Sequence, residues 1–182
     1  MTVVTTERLT LRPFAPEDEP AYAAIRARPE VARYLAGGEA GAAQATETAR
    51  RLIPAFVTLW TDPDGPGYGP WAVEERATGR LLGHLGLRRL DDLGGETELL
   101  YAFDPPAQGR GFATEGARAA LAYGFETLRL SRIIALALPE NAASLRVMER
   151  IGMTRAPGLT EAFGLQVVRS EIDETAWRRS GT

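Results

Sequence analysis

The segment from Phe112 to Leu128 constrains the fold more than any other. Ala113, Gly116, Ala117, Ala120, Leu121, Gly124 and Leu128 recur at close to 3.6 residues, which predicts one long helix. The repeating face is built mostly from small residues, so the helix must lie close against another layer. Arg132 to Leu138 (RIIALAL) follows as a short, continuous apolar run, the signature of a strand buried on both faces. Ahead of the helix, Trp71–Glu75, Leu81–Leu90 and Leu99–Phe103 read as strands separated by turns at Thr78-Gly79 and Asp91 to Gly95, an antiparallel meander. A helix of small residues packed on a sheet is the expected centre of the molecule.

The flanking sequence extends this pattern. Glu7 to Phe14 alternates like a half-buried strand, and Pro16 with the acids that follow it suits the first turn of a helix. A second helix is expected from about Ala42 to Leu59, interrupted or kinked near Pro54. Asn141 reads as the N-cap of a helix over Ala142–Ile151 that ends at Gly152, and strands are expected near Met153–Arg155 and Leu165–Ile172. The Pro/Gly-dense stretch Thr61 to Pro70 is too short to separate two folding units and reads as a surface loop. The expectation is a single α/β (α+β) domain over residues 1–182, and the 45% apolar content of the chain is ample for one core.

Composition removes whole classes of chemistry. There is no cysteine and one histidine, which excludes thiolate metal sites and thiol nucleophiles and predicts no metal. All 21 basic residues are arginine, so no lysine can form a Schiff base. A net charge of −3 argues against a nucleic-acid partner. The N-terminus lacks the pattern of a secretory leader and no window of about 18 apolar residues occurs, so no membrane partner and a cytoplasmic location are expected. Charge is unevenly spread, however: Pro105 to Arg155 carries seven arginines against four glutamates. A small polyanion would find its most favourable surface there.

The segment Gln108-Gly109-Arg110-Gly111-Phe112-Ala113 lies between the last strand of the meander and the long helix. Glycines let a ligand approach the backbone, and the free N–H groups of the helix's first turn favour an anion such as pyrophosphate. The alternative is a glycine turn that only changes direction. A Walker loop requires a lysine, and a dinucleotide fingerprint requires glycine where Thr114 stands, so neither motif is present.

Gln108-x-x-Gly111-x-Ala113 resembles the acyl-CoA signature of the GNAT superfamily of N-acetyltransferases. Thr6-Glu-Arg-Leu-Thr-Leu-Arg-Pro13, Tyr101-Ala-Phe-Asp-Pro105, Gly111-Phe-Ala-Thr-Glu115, Pro139-Glu-Asn-Ala-Ala-Ser144 and Glu149-Arg-Ile-Gly-Met153 resemble its RimJ/RimL-like branch. The resemblance implies a GNAT-like mixed, mostly antiparallel twisted sheet with helices on both faces and a splay between its two central strands. It also implies acetyl-CoA as co-substrate. Backbone groups of Tyr101, Ala102 and Phe103 would pair with the pantetheine arm, and the amides of Gln108, Gly109, Arg110, Gly111, Phe112, Ala113 and Thr114 would hold the pyrophosphate. Asn141 would contact the pantetheine, with helix capping as its other reading, and Arg146 or Arg150 would approach the nucleotide phosphates.

The implied reaction is direct attack of a neutral amine on the thioester, without a covalent enzyme intermediate. Deprotonation at pH 7 costs about 4.6 kcal/mol for a lysine-like amine and about 1 kcal/mol for an α-amino group. Glu98 occupies the family's acidic strand position and is the candidate base, against an exposed strand carboxylate; Leu100 replaces a glycine usual in that motif. His84 suits a base or an acceptor contact by its ordinary pKa, against a half-buried structural histidine. Where many relatives place a tyrosine to protonate the thiolate, this chain has Met148, and Ser144 resembles the serine of the Rim-type branch. Acceptor contacts are expected from the first two helices with the Val31–Gly41 loop and from the Trp60–Trp71 segment, with Tyr34, Leu35, Phe56, Trp60, Tyr68 and Trp71 set against plain core packing. The acceptor is a protein N-terminus or a small-molecule amine, and a homodimer is compatible with the family. The rival reading is a non-catalytic acyl-CoA-binding or sensing module.

Overall fold

A computed structural model describes residues 2–35 and 37–180, the side chain of Ser180 excepted. Short β1 (Val4–Thr5) and β2 (Leu9–Arg12) open the chain, followed by α1 (Glu19–Arg26), α2 (Pro29–Ala32) and α3 (Ala45–Thr61). The meander then runs through β3 (Pro70–Glu75), β4 (Arg80–Leu90) and β5 (Glu96–Phe103). Next come α4 (Phe112–Ala122), β6 (Arg132–Ala137), α5 (Ala142–Arg150), β7 (Thr154–Arg155), β8 (Thr160–Ala162), β9 (Leu165–Asp173) and α6 (Glu174–Ser180). The strands form one sheet in the order β1-β2-β3-β4-β5-β6-β9-β7, with β8 added to β9. Every pairing is antiparallel except that of β5 with β6.

Helices cover both faces. On one, Leu9, Leu11, Val73, Leu85, Leu87, Leu99 and Phe103 pack against Phe112, Ala117, Ala120 and Leu121 of α4. On the other, Ala72 and Leu81 pack against Phe14, Tyr22, Ile25, Ile53 and Phe56, the cover made by α1 and α3. The small residues of the central helix have the predicted cause. A Cβ at Gly116 would lie 3.1 Å from Leu85 Cδ1, and one at Gly124 only 2.6 Å from Ile133 Cδ1.

Several expectations shift in detail. The long helix stops being α-helical at Ala122 and continues as a π turn over Tyr123–Thr127, where the Leu128 amide donates to the Tyr123 carbonyl. Helix α3 starts at Ala45, after a 3₁₀ stretch, and runs through Pro54 without stopping. Buried Ile53, Phe56 and Trp60 hold the turns on both sides of the proline, so packing outweighs the backbone hydrogen bond that Pro54 cannot donate. The alternation did not reveal β1, α2, β8 or α6, which are short or held by contacts distant in sequence. Trp177 of α6, for example, stacks on Phe125 with ring centroids 6.0 Å apart. The expected acceptor loop Val31–Gly41 includes Ala36, which lies outside the described residues.

Candidate active site

Strands β5 and β6 run parallel, and their ladder is registered at a single pair, Glu98 with Ile134. Beyond that point β5 continues to Phe103 and β6 to Ala137, each still paired on its other side, to β4 and β9. The sheet therefore opens between its two central strands, and backbone groups of Tyr101 to Phe103 face the opening without a strand partner. Gln108 closes the far end by donating from Nε2 to the Phe103 carbonyl at 2.9 Å. Its side chain fixes the turn between β5 and the glycine loop.

The loop that follows is shaped for an anion. Gly109 and Gly111 have φ of +74° and +83°, a backbone region that side-chain-bearing residues rarely adopt. Gly111 is the N-cap of α4, no side chain caps the helix, and its first i→i+4 bond is that from the Glu115 amide to the Gly111 carbonyl at 3.0 Å. The amides of Phe112, Ala113 and Thr114 stand ahead of that bond at the positive end of the helix. The loop is braced from β2: Arg8 donates from Nη1 to the Arg110 carbonyl at 2.9 Å and from Nε to Glu115 at 2.7 Å. Arg110 itself turns to Glu75, 2.8 Å away. The Arg8 and Arg110 guanidinium groups both lie over the Phe112 ring, each 4.6 Å from its centroid.

An open groove of about 740 Å³ continues from this loop, lined in part by Arg8, Gly111, Thr114, Arg118 and Arg150. Arg118 donates to the Arg150 carbonyl at 3.0 Å, and among the described residues neither guanidinium group is paired with a carboxylate. Arg146 is exposed one turn before Arg150 on α5. Arg146 and Arg150 were expected near the nucleotide phosphates from sequence; Arg8, which braces the loop, was not, because its Glu115 partner is 107 positions away.

Glu98 is 5% exposed, not the solvated strand carboxylate that was its alternative. Arg88, directly opposite on β4, donates to it from Nε at 3.1 Å and from Nη2, both to Oε2. Burial pushes the Glu98 carboxyl above the usual carboxylate range, and the charge and hydrogen bonds of Arg88 oppose that rise without cancelling it. A carboxylate held in this way is a stronger base than an exposed one.

On the other face of β5, the Tyr101 phenol crosses the opening to α5. It lies 2.9 Å from Ser144 Oγ and 3.2 Å from the Ser144 carbonyl. Burial raises the Tyr101 phenol to about 12, against the effect of the Ser144 hydrogen bond, so it is protonated at neutral pH. Met148, where the family's tyrosine was sought, is buried at 2% exposure. The phenol at this site comes from the strand, and sequence reading assigned only the backbone of Tyr101. Asn141 accepts the Ser144 amide at 3.1 Å, a true N-cap that also fixes the serine.

The acceptor candidates separate. Trp71 is fully buried and donates to the Thr2 carbonyl at 2.8 Å, while Trp60 and Tyr123 pack beside it. Both tryptophans belong to the core, packed against Tyr123 of the π turn. Tyr34 is half-buried, with Arg33 over its ring at 5.2 Å. His84 is not half-buried but 4% exposed, with Nδ1 3.0 Å from the Tyr22 hydroxyl. Burial first, then the charges of Arg26 and Arg88, hold it down to about 3, so the ring is neutral. Among the described residues no cluster of three His, Asp or Glu side chains converges to hold a metal.

Residues 8–154 match the family model described as an acetyltransferase (GNAT) domain. The uncharacterized N-acetyltransferase YnaD of Bacillus subtilis is 35% identical over 153 residues, covering 84% of this chain and 82% of that protein. The crystal structure of an acetyltransferase from Agrobacterium tumefaciens superposes with a TM-score of 0.78 at 28% identity, covering 96% of this chain and 95% of that one. Mycobacterium smegmatis RimJ, solved in complex with CoA-disulfide, shares the fold with a TM-score of 0.73 at 20% identity, covering 94% and 87%. With an opened central sheet, a glycine loop at a helix N-terminus and this match over most of its length, the chain belongs to the GNAT acetyltransferase family and is an acyl-CoA-dependent acetyltransferase.

Proposed function

We propose that the protein transfers the acetyl group of acetyl-CoA to a primary amine by direct attack. The single observation that carries this reading is the opening of the sheet beyond the Glu98–Ile134 pair, with an anion-binding loop at one end and a buried carboxylate at the other. The pantetheine arm would lie along Tyr101, Ala102 and Phe103. The amides from Gln108 to Thr114 would hold the pyrophosphate, with Arg146, Arg150 and Arg118 near the nucleotide phosphates. Mycobacterium smegmatis RimJ, a protein of the same fold, was solved in complex with CoA-disulfide, which supports a CoA site on this fold.

In the reaction, Glu98 removes a proton from the acceptor's ammonium, directly or through water. The neutral nitrogen attacks the thioester carbon, the C–N bond forms and the C–S bond breaks. The departing thiolate has a pKa of about 8–9 and takes up a proton. Ser144 supplies it, with Tyr101 behind the hydroxyl. The Tyr101 proton has two acceptors in reach, and the Ser144 carbonyl is already placed to accept within α5. Donation to Ser144 Oγ leaves the serine proton free to point towards the sulfur.

Calorimetric titration with acetyl-CoA, CoA and ATP, followed by thiol release over an amine panel, tests the proposal. Micromolar acetyl-CoA binding, much weaker ATP binding and amine-dependent CoA release are expected. Binding without release for any amine would instead favour a sensing module.

A further inference from the structure

The hairpin of β8 and β9 carries Phe163, 57% exposed, at its tip, with Leu165 at 50% beside it at the start of β9; Leu159, also 50% exposed, lies at the other end of the hairpin, ahead of β8. Phe163 has a φ of +54°, and Gly164 after it has +73°. Two successive left-handed residues make a tight hairpin turn that ordinarily takes Asn, Asp or Gly at its first position; a bulky aromatic there is unusual. The hairpin folds back over the sheet, since the Phe163 ring lies 5.5 Å from the guanidinium carbon of Arg88 on β4. Arg88 is the partner of Glu98. An exposed aromatic ring, a guanidinium and a buried carboxylate therefore form one continuous path from solvent to the opening of the sheet.

The hydrogen bonding of this path is half used. Both donors that Arg88 gives to Glu98 reach the same oxygen, Oε2. Glu98 Oε1 and Arg88 Nη1 take part in no hydrogen bond of the pair. The remaining capacity is one carboxylate oxygen for a cation and one guanidinium nitrogen for an anion, on side chains already joined through Oε2. Arg88 and Glu98 together are neutral. A simple amine would add a positive charge that only Glu98 compensates and would compete with Arg88 for it, whereas a zwitterion brings a counter-charge for each group. An apolar side chain on such a zwitterion would meet Phe163, with Leu165 next to it at the tip.

We infer that the acceptor is a free α-amino acid with an apolar side chain, its ammonium on Glu98, its carboxylate on Arg88 and its side chain against Phe163. The inference rests on the acetyl-transfer reading of the same site. A peptide N-terminus shares the ammonium but offers Arg88 only a neutral carbonyl, and is the competing class that the test must separate.

The test measures CoA release with L-leucine, L-leucinamide, 3-methylbutylamine, glycine and a leucine-headed tripeptide, on the wild type and on Arg88→Gln and Phe163→Ala. Leucine is expected to exceed 3-methylbutylamine by about tenfold or more in kcat/KM, and to exceed leucinamide and the tripeptide. Arg88→Gln should bring the leucine-to-amine ratio close to one while leaving the KM for acetyl-CoA unchanged. Phe163→Ala, at an exposed position that does not threaten folding, should raise the KM for leucine about tenfold and leave glycine unaffected. Equal rates for leucine and its decarboxylated amine overturn the inference, as does a tripeptide better than leucine. Acetyl-CoA binding without any leucine-dependent release overturns it alone; absence of acetyl-CoA binding overturns the transfer reading beneath it.

Discussion

The Tyr101 hydroxyl stands 2.9 Å from the hydroxyl of Ser144, so a side chain of β5 meets one of α5 across the opening between β5 and β6. The contact joins residues 43 positions apart. It places a protonated phenol behind the serine proposed to protonate the departing thiolate.

Removing that phenol with Tyr101→Phe takes away one hydrogen bond, about 1 kcal/mol, and should lower kcat about fivefold with little change in the KM for acetyl-CoA. Ser144→Ala should cost at least as much. Because the two groups act through one contact, the double variant should be no slower than Ser144→Ala alone, which steady-state kinetics on all three proteins would check.

Glu98→Gln should lower kcat by roughly 10²-fold or more, the scale of a positioned base, while acetyl-CoA affinity holds. Burial raises the Glu98 carboxyl, so the wild-type rate should climb with pH through a value above the ordinary carboxylate range, and that limb should vanish in the variant. The sign for stability is opposite. A raised folded-state pKa contributes stability below the unfolded value of about 4.3 and loses it as pH rises through the folded one. The variant should therefore lose activity at pH 7 without losing stability, and denaturation at pH 7 and pH 5 would show it.

His84 is neutral throughout the working range, being held down to about 3. His84→Asn should leave the shape of the pH–rate profile unmoved. Loss of its bond to the Tyr22 hydroxyl in a buried place should cost about 1–3 kcal/mol of stability, measurable by urea denaturation.

Asp18 accepts both terminal nitrogens of Arg12 at 2.8 Å and the Ala15 amide at 2.9 Å. Burial pushes its carboxyl up, but the Arg12 hydrogen bonds, the Ala15 amide and the Arg12 charge together hold it below its ordinary value. Its contribution is present above the unfolded pKa of about 3.9 and is lost as pH falls through the folded one. Asp18→Asn should cost about 1.5–3 kcal/mol at pH 7, and the gap to wild type should shrink below about pH 4.

Gly111→Ala places a side chain where φ is +83°, with Arg8 Nη2 3.4 Å from the new Cβ. The strain falls on the N-cap of α4, whose amides face the loop. Acetyl-CoA affinity should drop at least tenfold in calorimetry, while a far-ultraviolet spectrum stays close to wild type.

Local periodicity was enough to locate the meander, the helix of small residues and the glycine loop, because each is a repeat or a turn that neighbouring residues dictate. The Asn141 cap was legible for the same reason: its partner, the Ser144 amide, is three residues away. What depends on distant partners was not. The family's strand motif singled out Glu98, but its burial, beside Arg88 and at the parallel pairing with Ile134, shows only in the fold. His84 read as half-buried until Tyr22 of α1 lay against it. Trp60 and Trp71 had the composition of a binding wall, yet their large apolar surfaces are buried beside Tyr123. Backbone preferences and capping act over a few residues, so local sequence set most of the elements and the glycine loop at the N-cap of α4. Tertiary structure decided which carboxylate is buried, which phenol meets the serine and which aromatic stays exposed, since burial and charge pairing exist only after strands far apart in the chain have met.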